Sequence, residues 1–175
     1  MHSLRDFSYR RNDDKMFKEK FNKKEYERVI STARKEIGVR ETGCENCGVA
    51  IARYLAYVGF KTPQPWCAAF VSWCHAKAGY PQPRTAWSPH LFPKERLVAA
   101  PAIHWDDKKM RGLVYGLYYP SLKRIGHCGL VESIRNDLIY GLEGNTNLAG
   151  SRAGDGVYRK VRHKRTISKY ADWVK

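Results

Sequence analysis

The chain has 175 residues, of which 43% are hydrophobic and 13% aromatic, a composition that excludes a disordered chain and suffices for one domain with its own core. A total of 32 Lys and Arg against 17 Asp and Glu gives a formal net charge of +15, so the surface is expected to attract polyanions. The basic residues are not gathered in one stripe, and no aromatic nucleic-acid motif accompanies them. We therefore predict a solvated basic surface and no specific nucleic-acid site.

The sequence also limits the compartment. There is no apolar run of about 18 residues, so no transmembrane segment is expected. The N-terminus lacks the basic and then apolar pattern of a signal peptide, which favours a protein made in the cytoplasm without a leader. The five cysteines, an odd number, fit a disulfide framework poorly, and at least one thiol should be free.

We expect a charged arm over residues 1–22 and a single catalytic domain over residues 23–175. Apolar residues at helical spacing predict an amphipathic helix from Lys23 to Ile37, capped by Asn22 and ended by Gly38. A second helix, from 49 to 58, is apolar nearly all round and should be buried. Gly59 would end it.

Cys44 and Cys47 lie in the polar connection between these helices. Their CxxC spacing is that of half a zinc site or of a redox pair, but no second CxxC follows to complete four ligands, although Cys74 and His75 could. A disulfide between them would need an oxidising compartment. We favour a loop with two small residues, and we predict no metal and no cofactor.

The third helix organises the chain. Pro65 precedes it, Gly79 follows it, and Cys67 lies in its first turn. Free backbone N–H groups and the helix dipole there favour loss of the thiol proton, as a nucleophilic cysteine requires. The alternative is that Cys67 is a small apolar core residue.

The second half of the chain changes from helix to strand patterns. A proline-rich, aromatic connection spans residues 80–110, and β-rich segments follow. Helices first and strands afterwards predict an α+β domain with an antiparallel sheet. The strand segments are 112–119, 127–134, 138–145 and 157–162.

The register of one hairpin decides whether a site can form. A three-residue loop over 135–137 would place Gly129 opposite Glu143 and His127 opposite Asn145, on one face. A two-residue loop at 136–137 would send Glu143 to the other face. Both registers are open from the sequence.

Three motifs occur in order: Pro65-Trp66-Cys67-Ala68-Ala69-Phe70-Val71-Ser72-Trp73, Gly126-His127-Cys128-Gly129-Leu130-Val131-Glu132 and Glu143-Gly144-Asn145-Thr146-Asn147. Together they resemble the CHAP family, the cysteine and histidine-dependent amidohydrolases and peptidases. Ile37-Gly38-Val39-Arg40-Glu41-Thr42-Gly43 resembles a segment that precedes the catalytic helix in one bacterial and phage branch. The resemblance spans residues 33–174.

The resemblance implies a papain-like α+β fold, with N-terminal helices on a C-terminal antiparallel sheet and the nucleophile at a helix N-terminus. It implies Cys67 as nucleophile, His127 as base, Glu143 as the orienting carboxylate and Asn145 as the polar residue beside it. The thiols of Cys44 and Cys47 depart from the family pattern. Cys128 replaces a commonly apolar residue and should point away from the site if His127 points into it.

The function so implied is that of a peptidoglycan hydrolase that cleaves an N-acetylmuramoyl-L-alanine amide, a stem-peptide bond or a cross-bridge. The chain would be a phage lysin or a secreted effector that acts in the periplasm or cell wall after release, after injection or as part of a virion. Expected partners are peptidoglycan, anionic envelope polymers and, in a virion, other virion proteins. The alternative is a non-catalytic virion, structural or polyanion-binding protein. Expected substrate contacts are Trp66, Trp87, Glu41 and Asn46, with core packing as the alternative for Trp66.

Overall fold

A computed structural model describes residues 24–98 and 110–174. The predicted arm over residues 1–22, the cap at Asn22 and the end of the long connection, 99–109, lie outside the described residues. The described chain forms helices first and strands afterwards. Its elements are helices α1 (24–35), α2 (Val49–Tyr57) and α3 (Cys67–Lys77), then strands β1 (Val114–Tyr119), β2 (Arg124–Arg135), β3 (Leu138–Thr146), β4 (Gly156–His163) and β5 (Ile167–Ala171).

The five strands form one antiparallel sheet in the order β4-β3-β2-β1-β5. Sequential strands are neighbours from β1 to β4, and β5 returns to the free edge of β1. Strand β5 had no counterpart in the sequence prediction. The central strands β2 and β3, which carry His127 and Glu143, are therefore paired on both sides.

The helices pack on one face of this sheet. Every residue of α3 from Cys67 to His75 is buried, and the same core contains Cys128, Leu130 and Leu142 from the strands. This arrangement confirms the predicted α+β fold, with a buried helix that begins at Cys67 and lies on an antiparallel sheet in the papain-like manner.

Helix α2 differs from the prediction of a buried helix. Ile51, Tyr54 and Leu55 are buried, whereas Val49 is 84% exposed. Helix α2 packs against α3 along one side, and its other side faces solvent. An apolar composition thus did not distinguish a fully buried helix from one with a single buried face.

The opposite face of the sheet carries a second, smaller core. Its centre is Tyr115 of β1, which is fully buried. Both faces of the central strands are thereby covered, so a polar group on the second face is also removed from water. The other members are Met110, Leu113, Val131, Ile134, Ile139 and Tyr170.

The β2–β3 hairpin combines features of both predicted registers. Arg135 pairs with Leu138, so the loop has two residues, and Asn136 adopts a positive φ of 55°. A register shift then follows between Val131 and Ser133. The extra residue at this β-bulge is Glu132, and beyond it Leu130 pairs with Leu142, which is the register of the three-residue loop. The bulge therefore restores the face that the short loop would have reversed.

Cys44 and Cys47 form a disulfide, with a Cα–Cα distance of 5.2 Å. This corrects the expectation of a simple loop with two small residues. The backbone N–H of Cys47 donates to the carbonyl of Cys44 at 3.2 Å, and this turn brings the two thiols together. Within residues 24–98 and 110–174, no group of three His, Cys, Asp or Glu could hold a metal ion, and no helix is long and apolar enough to cross a membrane.

Candidate active site

Cys67 is the first residue of α3, and Trp66 is the N-cap. The N-cap side chain makes no capping hydrogen bond, so the first N–H groups of the helix keep their donor capacity. The backbone N–H of Trp66 instead donates to Oδ1 of Asn145 at 3.2 Å. A side chain at the end of β3 thus fixes the point where the helix begins.

The imidazole of His127 is fully buried and lies against Glu143. Its Nε2 is 2.9 Å from Oε2 of Glu143, a distance typical of a charge-assisted hydrogen bond. The other ring nitrogen, Nδ1, is buried and has no hydrogen-bond partner among the described residues. The carboxylate therefore holds Nε2–H and leaves Nδ1 available for proton transfer.

The carboxylate of Glu143 is itself tied down by Tyr115 and Arg162, two residues that the sequence analysis did not identify. Arg162 of β4 donates from Nε to Oε1 at 2.8 Å and from Nη2 to Oε2 at 2.6 Å. The hydroxyl of Tyr115 donates to Oε1 at 2.5 Å. Together with His127, these donors satisfy a carboxylate that has no exposure to solvent.

Two glycines make the contact from Tyr115 possible. The Tyr115 ring lies over Gly129 of β2 and Gly141 of β3, where a Cβ would approach the tyrosine to 2.6 Å and 2.1 Å respectively. Any side chain at either position would displace the ring, so the glycines open a path along which the phenol reaches Glu143. Glycine inside a strand is typical of such close approaches.

The charges shift the pKa values of all three groups. Burial lowers the pKa of His127, but its interactions with Cys67 and Glu143 outweigh burial and raise this pKa to about 9. A hydrogen bond from Cys128 and interactions with His127 and Ser88 lower the pKa of Cys67, against burial. Arg162 and His127 lower the pKa of Glu143 to about 2, although burial raises it. These shifts favour a thiolate, an imidazolium and a carboxylate.

Asn145 lies on the helix side of the site and does not bond to His127. In addition to accepting from Trp66, it donates from Nδ2 to Gly154 O at 3.0 Å, to Asn46 Oδ1 at 3.1 Å and to Glu41 Oε1 at 3.3 Å. Glu41 also accepts from Nε1 of Trp66 at 2.8 Å. Asn145, Glu41 and Asn46 therefore form a network behind the start of α3.

The same network bears on the residues expected to contact substrate. The side chain of Trp66 is fully buried in the core, as the packing alternative had it. Trp87 is 46% exposed and lines the cleft described next. Substrate contacts from Trp87, Glu41 and Asn46 stay predictions.

Cys67 opens into a cleft of about 470 Å³. Ser88, from the connection after α3, places its hydroxyl 3.6 Å from the Cys67 sulfur. Three arginines, Arg84, Arg124 and Arg152, also line this cleft. Cys67 is 4% exposed and lies at the edge of a space large enough for part of a peptide.

Cys128 does not point away from Cys67 as expected. It belongs to the core on which α3 packs, and its interaction with Cys67 lowers the pKa of the Cys67 thiol. Strand alternation does separate it from His127, but the face opposite His127 is the face beneath α3. Cys67, at the start of α3, therefore interacts with two consecutive residues of β2, His127 and Cys128.

No family model matches the chain, and no curated protein matches it. Among solved structures, the chain is similar to a crystal structure of Ly7917 with the hydrolyzing product of MDP, with 15% sequence identity and a TM-score of 0.47. The similarity covers 83% of this chain and 61% of that chain. The chain thus spans about three fifths of the length of that protein.

Proposed function

We propose that this protein is a cysteine hydrolase that cleaves an amide bond of peptidoglycan. The observation that carries the proposal is the buried ion pair of His127 with Glu143 at 2.9 Å, next to a thiol at the first position of a helix. This set supplies a nucleophile, a base and a group that orients the base. The choice of peptidoglycan rests on the resemblance of the three motifs to the CHAP family.

In the first half of the reaction, the Cys67 thiolate attacks the amide carbonyl carbon and forms a C–S bond. The carbonyl oxygen becomes an oxyanion, which the backbone N–H groups at the start of α3, including that of Cys67, would hold. The His127 imidazolium gives its Nδ1 proton to the amide nitrogen. The C–N bond breaks, and the amine leaves with that proton.

In the second half, neutral His127 takes a proton from water, and the hydroxide attacks the thioester. The C–S bond breaks, the acid is released, and the thiolate and imidazolium are restored. Glu143 keeps Nε2 protonated throughout, because four hydrogen bonds hold its carboxylate in place. Asn145 takes no part in the proton transfers. Its role is structural, since it fixes where α3 begins.

The proposed site of action is the bacterial envelope. A protein with a net charge of +15 would bind anionic envelope polymers, and salt should weaken that binding. A phage lysin or an injected effector fits this setting, because either one acts on the cell wall.

Purified sacculi provide the test. The wild-type protein should release soluble fragments, whose new termini, read by mass spectrometry, identify the bond as muramoyl-alanine amide, stem peptide or cross-bridge. Cys67→Ala should release none. A Cys67→Ala protein that digests sacculi as fast as the wild type would refute a cysteine mechanism. Absence of fragments from sacculi of several wall chemistries would favour a binding or structural role.

A further inference from the structure

We propose that the cleft beside Cys67 recognises a free carboxylate next to the scissile amide, through Arg84, Arg124 and Arg152. This inference rests on the proposed function for its substrate and adds the chemical feature by which the cleft selects it. All three arginines line the cleft, and none of the described Asp and Glu residues lines it. The space next to the nucleophile therefore has a strongly positive potential.

The three cleft arginines have no carboxylate partner among the described residues, a property that they share with Arg40 and Arg135. Within the described residues, Arg34, Arg111, Arg159 and Arg162 each form an ion pair with a glutamate. None of the three cleft arginines forms one there. Their charges are thus left for a ligand.

The contacts of the cleft arginines are with neutral groups, and they are closest for Arg124 and Arg84. The Arg124 guanidinium lies 3.9 Å from the centre of the Trp87 ring and donates to the carbonyl of Ile125 at 2.9 Å. Arg84 donates to the carbonyl of Tyr57 at 2.8 Å and lies 5.3 Å from that tyrosine ring. Arg152 lies 6.0 Å from the Tyr119 ring.

Such bracing orients the guanidinium planes without using most of their donors. A guanidinium has five N–H donors in a fixed fork, and that fork matches the two oxygens of a carboxylate. Arg124 and Arg84 each use one donor in the contacts above. The remaining N–H groups can bind an anion at little cost in side-chain entropy.

The first experiment tests anion selection without any wall substrate. Iodoacetate carries a carboxylate where iodoacetamide carries a neutral amide, and the two reagents are otherwise alike. Each alkylates a thiolate by displacement of iodide. The ratio of their rate constants at Cys67, measured by peptide mass spectrometry, should favour iodoacetate. The triple variant Arg84→Gln, Arg124→Gln, Arg152→Gln should lower that ratio by about tenfold.

The control is Arg165→Gln, which removes one charge from an exposed arginine that does not line the cleft. It should leave the ratio unchanged, and single cleft variants should fall between it and the triple variant. His127 is present in every protein, so its own attraction for iodoacetate cancels in the comparison. An unchanged ratio in the triple variant overturns the proposal.

The second experiment uses sacculi whose carboxyl groups have been converted to primary amides by carbodiimide and ammonia, beside mock-treated sacculi. The wild type should cleave the mock-treated wall about tenfold faster, and the triple variant should cleave both at similar rates. Equal wild-type rates, with no cleavage by Cys67→Ala, would refute carboxylate recognition and leave the hydrolase in place. No cleavage of either wall, with selective alkylation by iodoacetate intact, would refute the proposed function and support the anion site.

Discussion

Helix α3 has a buried cysteine near each end, and each cysteine has a buried histidine close by. Cys67 lies near His127, and Cys74 is next to His75 in the chain. The ionisation of these two pairs is opposite. At the start, Cys67 has a lowered pKa and His127 a pKa raised to about 9. Near the end, burial and the charge of Glu36 raise the pKa of Cys74. Burial also lowers the pKa of His75 to about 4. One pair is poised to be ionic, and the other is neutral.

The difference lies in the partner of each ring. His127 meets the carboxylate of Glu143, whereas Nδ1 of His75 meets the backbone carbonyl of Val71 at 2.9 Å and its Nε2 has no partner among the described residues. A neutral carbonyl does not offset the cost of burying a charge, but a carboxylate does. Burial alone therefore makes these groups inert, and a buried countercharge makes them reactive.

Removal of the ionic ring should have the largest effect. His127→Ala should lower the rate of fragment release from sacculi by roughly 10⁴-fold, because it removes the general base and acid. His75→Leu should keep most of the activity, since it removes a neutral ring. Thermal unfolding would verify that both variants fold. Equal loss in the two variants would contradict the distinction between the rings.

Glu143→Gln should convert His127 into a ring like His75. Without the carboxylate, only the interaction with Cys67 opposes burial, so the His127 pKa should fall well below 9, with roughly 10³-fold loss of activity. The titration of His127 can be followed by NMR.

Glu132→Gln is the matched control, because Arg159 pairs with Glu132 away from His127. It should reduce stability and leave the His127 titration in place. A His127 pKa that stays near 9 in Glu143→Gln would show that the carboxylate is not its cause.

The two rings should also give opposite dependences of stability on pH. The folded pKa of His75, about 4, lies below its unfolded value near 6.5, so its contribution is complete above pH 6.5 and is lost as pH falls towards 4. That loss should reach about 3 kcal/mol. The folded pKa of His127 is raised, so its own contribution is present below pH 6.5 and is lost as pH rises through about 9. The lowered pKa of Cys67 contributes with the opposite sign, so the thiolate and imidazolium together leave stability nearly flat over this range.

Urea unfolding at a series of pH values measures both slopes. His75→Leu should flatten the profile between pH 6.5 and 4 and leave the alkaline side unaltered. If the free energy of unfolding of His75→Leu fell as steeply as that of the wild type between pH 6.5 and 4, the loss of stability would belong to other groups.

Cys128→Ala should have the smallest effect. The Cys128 thiol is the first contributor to the lowered pKa of Cys67, and one such hydrogen bond contributes about 1 kcal/mol. The pH profile of Cys67 alkylation by iodoacetamide should therefore move to higher pH by less than about one unit. Cys74→Ala should leave the profile unchanged. A shift to lower pH in Cys128→Ala would reverse the assigned role.

The sequence was sufficient to predict those helices and strands that have a clear local pattern. The helix boundary at Cys67 follows from Pro65 and Gly79, which has a φ of 99°, and the segments of β1 to β4 follow from their composition. The resemblance of three motifs named Cys67, His127 and Glu143, and the fold brings these residues together. Strand β5 was missed because Ile167–Ala171 is short and mixes polar and apolar residues.

The missing parts of the site depend on contacts that no local pattern encodes. Arg162 pairs in the ladder with Ile139, four residues from Glu143, and reaches the carboxylate along the face with its long side chain. Tyr115 of β1 reaches across β2 to the same carboxylate on β3. The glycines at 129 and 141 were the available signal for that approach, because strands seldom contain glycine without a reason.

The bulge at Glu132 has a consequence for chain length. Deletion of Glu132 would make the pairs of Ser133 with Tyr140 and of Val131 with Gly141 consecutive in a regular ladder, so His127 and Glu143 would stay on one face of the sheet. The deletion would remove the ion pairs of Glu132 with Arg34 and Arg159. The register at the site therefore does not need a residue at position 132.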